Sequence, residues 1–447
     1  MNTTRQIAEF ACRTTFDDFD EDVVRHVKHV LLSGLGMTVA GVHTSAGKAV
    51  LAYVKECAAP EEVGVLGAGF RTSVEYATIA NGTTSHATEL EDDTREDSMY
   101  SVGVFPGVFA LGEKLHVSGK EIIEAFVIAW DVASKLGLAS TSMLKRGLAT
   151  WSAFSTVGVA AASARMLKLD VEQTTMAVSL AASHACGLYK QVGAGAHLYE
   201  SGLAGRNGVA CGLLARHGLT GQPDILEIPL GYLDAVAGVT YPDLKLGAPY
   251  RALDIEMKRY PCCFSQMHII DAFVQLVADL DPTPDTVESV QLDVGPSFMM
   301  AAARFQHPKD ENEAKFSLAH SIACCFIDKK PWIESYTTER ANDPAVKAFR
   351  DKVKVVLRSR WGSADAAPAT LPIVVTLKDG TVHRRQTPRI LDRHVLSEVE
   401  VLDKYMRSAT VTLSRERAAR IAQSILALEN VPDIAETMML LTYPDKV

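Results

Sequence analysis

Through roughly the first 255 residues the apolar positions recur at helical spacing. Val23/Val24, Val27 and Val30/Leu31 lie three to four apart and follow Asp20-Glu21-Asp22, whose charges favour a helix N-terminus through the dipole. The same spacing predicts helices over 73–90, 103–117, 119–138, 152–167, 171–187 and 202–217. Several are rich in alanine and glycine, as in VGVAAASARM and LAGRNGVACG, so their backbones can approach closely and bury most of their faces. After Pro261 the period changes. Thr286 to Val294 alternates with period two, and Pro372 to Leu377 runs through Asp379-Gly380 into Thr381-Val382, a strand, a tight turn and a second strand. Helical spacing returns near residue 395, in Val399/Leu402/Met406 and Ala418/Ile421/Ile425/Leu428. The pattern predicts a mainly α protein: a large all-helical domain formed by both chain ends, 1–257 and 395–447, with a smaller α+β domain, 258–394, inserted between them.

Composition narrows the function classes. With 447 residues, 47% of them hydrophobic, the chain can bury one large core or two ordinary ones. Lys and Arg number 45 against 54 Asp and Glu, a net charge of -9, so no global field draws it to nucleic acid or an anionic membrane. An anionic ligand must be held by local groups. The eight cysteines, at 12, 57, 186, 211, 262, 263, 324 and 325, form no CxxC and no zinc-like or disulfide framework, which fits a reducing compartment. The opening MNTTRQIAEF has no apolar signal region, and the uncharged stretch Val30–Gly47 reads as a buried helix and its exit rather than a membrane span. A cytoplasmic location without nucleic-acid or membrane partners is expected.

Three segments carry candidate chemistry. The run from Asn81 to Thr94 places Glu89, Glu91, Asp92 and Asp93 within five positions. Like charges this close disfavour simultaneous ionisation, which is one way to prepare a general acid or base, although taken alone the run reads first as a solvated acidic loop. The glycine-rich Gln191–Gly202 lacks a preceding strand and a GK[ST] ending, so it is no phosphate loop; it reads as a loop from which His197 projects, by default as a surface histidine. At Lys258-Arg259-Tyr260-Pro261-Cys262-Cys263 two cations stand beside a proline at the domain boundary, either a basic surface patch or a means to neutralise a substrate carboxylate and the enolate formed beside it. Cys262 and Cys263 read as packing, since neighbouring residues rarely form a strain-free disulfide.

These segments, together with TVGVAAASARMLKLD at 156–170, GLAGRNG at 202–208 and EAKFSLAHSIA at 313–323, resemble the MmgE/PrpD family over nearly the whole chain. That family includes 2-methylcitrate dehydratase, cis-aconitate decarboxylase and iminodisuccinate epimerase. The resemblance implies a helical domain with an inserted α+β lid, a homodimer, and neither metal nor organic cofactor. It places Glu89 at the position of a catalytic acid, His86 at the NG…H histidine, Glu91 and Asp92 at the acidic pair, and Lys258 at the junction lysine that contacts substrate. Other positions depart from the pattern: Met99 and Ala149 stand where relatives carry histidines, His197 where they carry a lysine and Glu200 where they carry a histidine. The expected function is a lyase or isomerase that abstracts a proton α to a carboxylate of a small polycarboxylic acid, with dehydration as the default. Epimerisation of an imino- or amino-dicarboxylate, cis-aconitate-type decarboxylation and an inactive acid-binding homologue are the alternatives. His197, Lys258, Glu89 and His86 are the expected catalytic groups; Asp92, Lys190, Arg259, Met99, Ala149 and Trp151 are expected to line the substrate.

Overall fold

Small residues at helix crossings decide how the larger part of the chain packs. In the computed structural model, which describes residues 2–94, 98–361, 368–389 and 392–445, the chain divides into two compact units, Met1–Met257 with Leu396–Val447, and Lys258–Val395. The first unit is built around the helices Val74–Ala87, Ser101–Leu115, Gly119–Ala139, Thr150–Met166 and Gly195–Arg216, which pack on one another. Thr150–Met166 is buried on every face except at Arg165, as an all-round apolar core helix should be. A Cβ on Gly158 would lie 2.2 Å from the Ala129 carbonyl oxygen. One on Gly82 would lie 2.5 Å from the Gly202 Cα, and one on Gly202 2.3 Å from the Ile79 carbonyl oxygen. The helices Val74–Ala87 and Gly195–Arg216 therefore cross at backbone contact.

Most predicted helices fall within a few residues of those observed, but two segments differ. The helix predicted over 171–187 stops at Ala182, and the segment read as a loop over 191–202 is helical from Gly195. Gly193 does need the loop, with φ +88°, whereas Gly195 adopts ordinary helical backbone, so only the first of the two glycines breaks structure. His197 accordingly lies in the first turn of a helix.

The chain's C-terminal return adds the helix Glu398–Ala409, which packs on Glu21–Gly41. Val30 to Gly41 is buried throughout. Among the described residues no single helix is long and apolar enough to cross a membrane; Glu21–Gly41 and Ser45–Glu56 pass that test only as a pair bent by 80°.

The second unit holds a four-stranded sheet in the order Val353–Leu357, Val287–Val294, Pro372–Leu377, Val382–Gln386, the first pair parallel and the others antiparallel. The Asp379-Gly380 turn closes the last hairpin, with Gly380 at φ +87° and the Leu377 N–H donating to the Thr381 carbonyl. Val290, Leu292 and Ile373 of the sheet share a core with Phe273 and Phe326 of the helices Met267–Leu280 and Leu318–Asp328 and with Phe349. Cys262, Cys263, Cys324 and Cys325 are buried in this unit and form no disulfide among the described residues, in keeping with packing.

Gly202→Ala is expected to destabilise the protein by about 2 kcal/mol, the cost of overpacking where only backbone can move. A urea midpoint equal to that of the native protein would show that the crossing tolerates a methyl group.

Candidate active site

The helix Val74–Ala87 ends in the acidic run, and the way it ends builds the site. Thr88 caps it, and Glu89 follows at φ +57°, its N–H donating to the His86 carbonyl at 2.9 Å. Glycine is the usual residue there, because any other side chain costs about 1 kcal/mol in the left-handed region. The turn brings Glu89 Oε2 to 3.7 Å from His86 Nε2, and Glu91 Oε1 stands 3.7 Å from the same nitrogen. Glu89, Glu91 and Asp92 are 3%, 0% and 2% exposed, which overturns the solvated-loop reading. Asp92–Asp93 pairs antiparallel with Glu256–Met257, and Asp92 accepts a short hydrogen bond from the Ser101 hydroxyl. Lys404, from the far end of the chain, donates to the Leu90 carbonyl at 2.7 Å and so clamps the turn.

His197 faces this cluster from the neighbouring helix. Its ring meets His86 edge-on, with centroids 4.5 Å apart at 67°, and Trp151 meets it edge-on at 5.4 Å. One turn further along the helix, Ser201 Oγ lies 2.8 Å from His86 Nδ1. Both imidazoles are buried, so His197 is not a surface residue. Gly195–Arg216 and Thr150–Met166 begin at Ala194 and Ala149, and neither start has a side-chain cap. Their first turns thus present amides and the positive end of the dipole, which favours anions. Beside them, Thr150 Oγ1 and Trp151 Nε1 are buried with no hydrogen-bond partner among the described residues. Glu200 completes the surroundings. It accepts the Leu188 N–H at 3.0 Å, and burial holds its carboxyl above the usual range.

The remaining predicted residues divide. Met99 and Ala149 are buried and apolar. Lys258 is buried, which removes the surface-patch reading for it; it follows Met257, the register partner of Asp92, by one peptide bond. Arg259 is committed within its own unit: its guanidinium makes a paired contact with Asp271, 2.6 Å at the closest, and Tyr260 donates to the same carboxylate. Asp271 thus occupies the Nε and Nη2 edge of the Arg259 guanidinium. Lys190 is exposed on the short turn Tyr189–Gln191, where solvent screens its charge. Ser201, Thr150, Ser101 and Lys404 were not anticipated. For Lys404 a signal existed, since it falls on the apolar stripe Val401, Tyr405 and Ser408, all buried.

Two family models and several known proteins match the chain. The MmgE/PrpD N-terminal domain model matches residues 5–245 and the MmgE/PrpD C-terminal domain model residues 260–430. A cis-aconitate decarboxylase-like protein of Aspergillus oryzae is 24% identical over 99% of this chain and 97% of its own. The cis-aconitate decarboxylase of Mus musculus is 25% identical over 95% of this chain and 90% of its own. A mitochondrial 2-methylcitrate dehydratase of Yarrowia lipolytica is 25% identical over 59% of this chain and 53% of its own.

Glu89→Gly is expected to be more stable than Glu89→Ala by about 1 kcal/mol, because glycine alone relieves the left-handed backbone. Equal urea midpoints for the two variants would mean that the turn carries no strain.

Proposed function

The chain belongs to the MmgE/PrpD family, and from that premise we propose that it is a lyase acting beside a carboxylate of a small polycarboxylic acid, with decarboxylation of an aconitate-type acid as its reaction. The observation that carries this reading is the buried edge-on pair of His86 and His197 set against Glu89 and Glu91.

Substrate carboxylates lie at the uncapped starts of the helices Thr150–Met166 and Gly195–Arg216, where Thr150 and Trp151 offer a hydroxyl and an indole N–H. The bond from the α-carbon to the departing carboxylate breaks, and carbon dioxide leaves. The electron pair stays on carbon, spread into a neighbouring carboxylate, and His197 delivers the proton that quenches it. His86, fixed by Ser201 and flanked by Glu89 and Glu91, orients His197 and supports its charge.

Decarboxylation fits these groups because it needs one proton donor. Elimination of water needs a base for the α-proton and an acid for the departing hydroxide, and the buried Met99 and Ala149 supply neither. Epimerisation needs a group on each face of one carbon. His86 cannot take the face opposite His197, since rings 4.5 Å apart leave no room for a carbon between them. The relatives that match over almost their whole length support the same choice. Dehydration, the family-typical default, remains the second reading on the strength of the partial match to a 2-methylcitrate dehydratase.

Proton NMR in deuterated water with cis-aconitate is expected to show loss of carbon dioxide and one solvent deuteron on the product carbon. His197→Asn should lower kcat by about 100-fold or more. An alkene formed from a hydroxy acid without carbon dioxide would replace this reading with dehydration, and a His197→Asn enzyme of native kcat would remove His197 from the chemistry.

A further inference from the structure

We propose that His86, Glu89 and His197 also form a binding site for a divalent transition-metal ion of the zinc class, and that its occupancy switches the enzyme off. The inference rests on the proposed function only for its second half, the effect on turnover.

One donor atom from each of these three side chains lies within 4.8 Å of the other two, and all three residues are buried. Two imidazoles and a carboxylate are a donor set that suits zinc, cobalt and nickel, and they match the three-ligand pattern that leaves a coordination position open. The orientation is also right. Ser201 holds His86 through Nδ1 at 2.8 Å, which leaves Nε2, the atom facing Glu89 and Glu91, as the donor. A hydrogen bond on the far nitrogen is how metal-binding histidines are commonly fixed. Glu91, at 3.7 Å from the same nitrogen, adds negative charge and an oxygen that can serve as a fourth donor.

A tetrahedral ion with bonds of about 2.0 Å holds its ligands about 3.3 Å apart. The His86–Glu89 separation of 3.7 Å is already close to that value, and a spacing at the 4.8 Å limit of the group needs a contraction of about 1.5 Å, within reach of side-chain rotation. His197 is the element of the cluster on which the site turns, because without a second imidazole only one nitrogen donor remains. An ion bound there takes the ring nitrogen lone pairs of both histidines. The imidazole assigned above to proton delivery is then no longer available, so uptake of metal and turnover exclude one another.

The test uses the full chain, stripped with a chelator, dialysed, and titrated with zinc chloride and with cobalt chloride in the absence of substrate. The expected result is one site per chain, visible absorption bands from the bound cobalt, and binding weakened at least 100-fold in both His197→Gln and Glu89→Gln. Ser201→Ala, which removes one hydroxyl from an otherwise intact core, should weaken binding about 10-fold. No uptake by the native chain, or uptake unchanged in all three variants, overturns the proposal. Zinc should also inhibit turnover at the concentrations at which it binds, reversibly with chelator; binding without inhibition overturns the switch while leaving the site. Because uptake is read without substrate, failure of the catalytic reading leaves this result intact, and an enzyme that turns over but takes up no metal loses only the present inference.

Discussion

The contact of Gly82 with Gly202 is the constraint from which the rest of the site follows. With no side chain on either helix at that point, the helices Val74–Ala87 and Gly195–Arg216 meet at their backbones. Ser201, next to Gly202, therefore faces His86, one turn beyond Gly82, at hydrogen-bond distance, and His197 meets the His86 ring at 4.5 Å. Any larger residue at 82 or 202 would separate the helices by more than these polar contacts tolerate, because hydrogen bonds weaken quickly with misalignment. The alanine and glycine content noted in the sequence is thus as much a requirement of the chemistry as of the packing.

Burying carboxylates against the two rings is the opposite kind of choice, one that costs stability. Each ionised group withdrawn from water carries a penalty of several kcal/mol unless polar partners replace the solvent. The partners seen for the turn come from near and far along the chain: Ser101, nine residues on, for Asp92, and the distant Lys404 for the carbonyls of Leu90 and Glu91. Glu89 adds strain of its own by standing at φ +57° where glycine is usual. Strain, buried charge and close-packed imidazoles coincide over a few residues, while the uncapped helix starts at Ala149 and Ala194 give a positive end. The acidic groups and the uncapped helix starts thus set opposite electrostatic tendencies in one part of the first unit.

How far the sequence made this legible depended on the range of the interaction. Helices such as Thr150–Met166 and the hairpin at Asp379-Gly380 were readable because periodicity and turn chemistry are local. Residues 171–187 and 191–202 were misjudged because glycine and small polar residues serve both helix and loop, and only the backbone angles distinguish Gly193 from Gly195. The acidic run could be recognised as a candidate, but its burial could not, since the groups that enclose it come from sequence positions more than 100 or 300 residues away. Arg259 illustrates the reverse case. Its charge was visible; its neutralisation by Asp271 needed the helix Met267–Leu280 to fold back on the junction.

The departures from the family pattern acquire a common meaning once these positions are seen together. Met99 and Ala149 are buried and apolar, and Trp151 presses its edge on His197. Buried surroundings of this kind make electrostatic interactions stronger than in water. On the proposed reading they disfavour expelling hydroxide, an ion that needs both a proton and solvent, and favour losing neutral carbon dioxide, which needs neither. Two imidazoles in contact share one side of the substrate, so the second adds charge stabilisation rather than a second face of attack. The same set of replacements that weakens the case for elimination therefore strengthens the case for a reaction that ends in a single protonation.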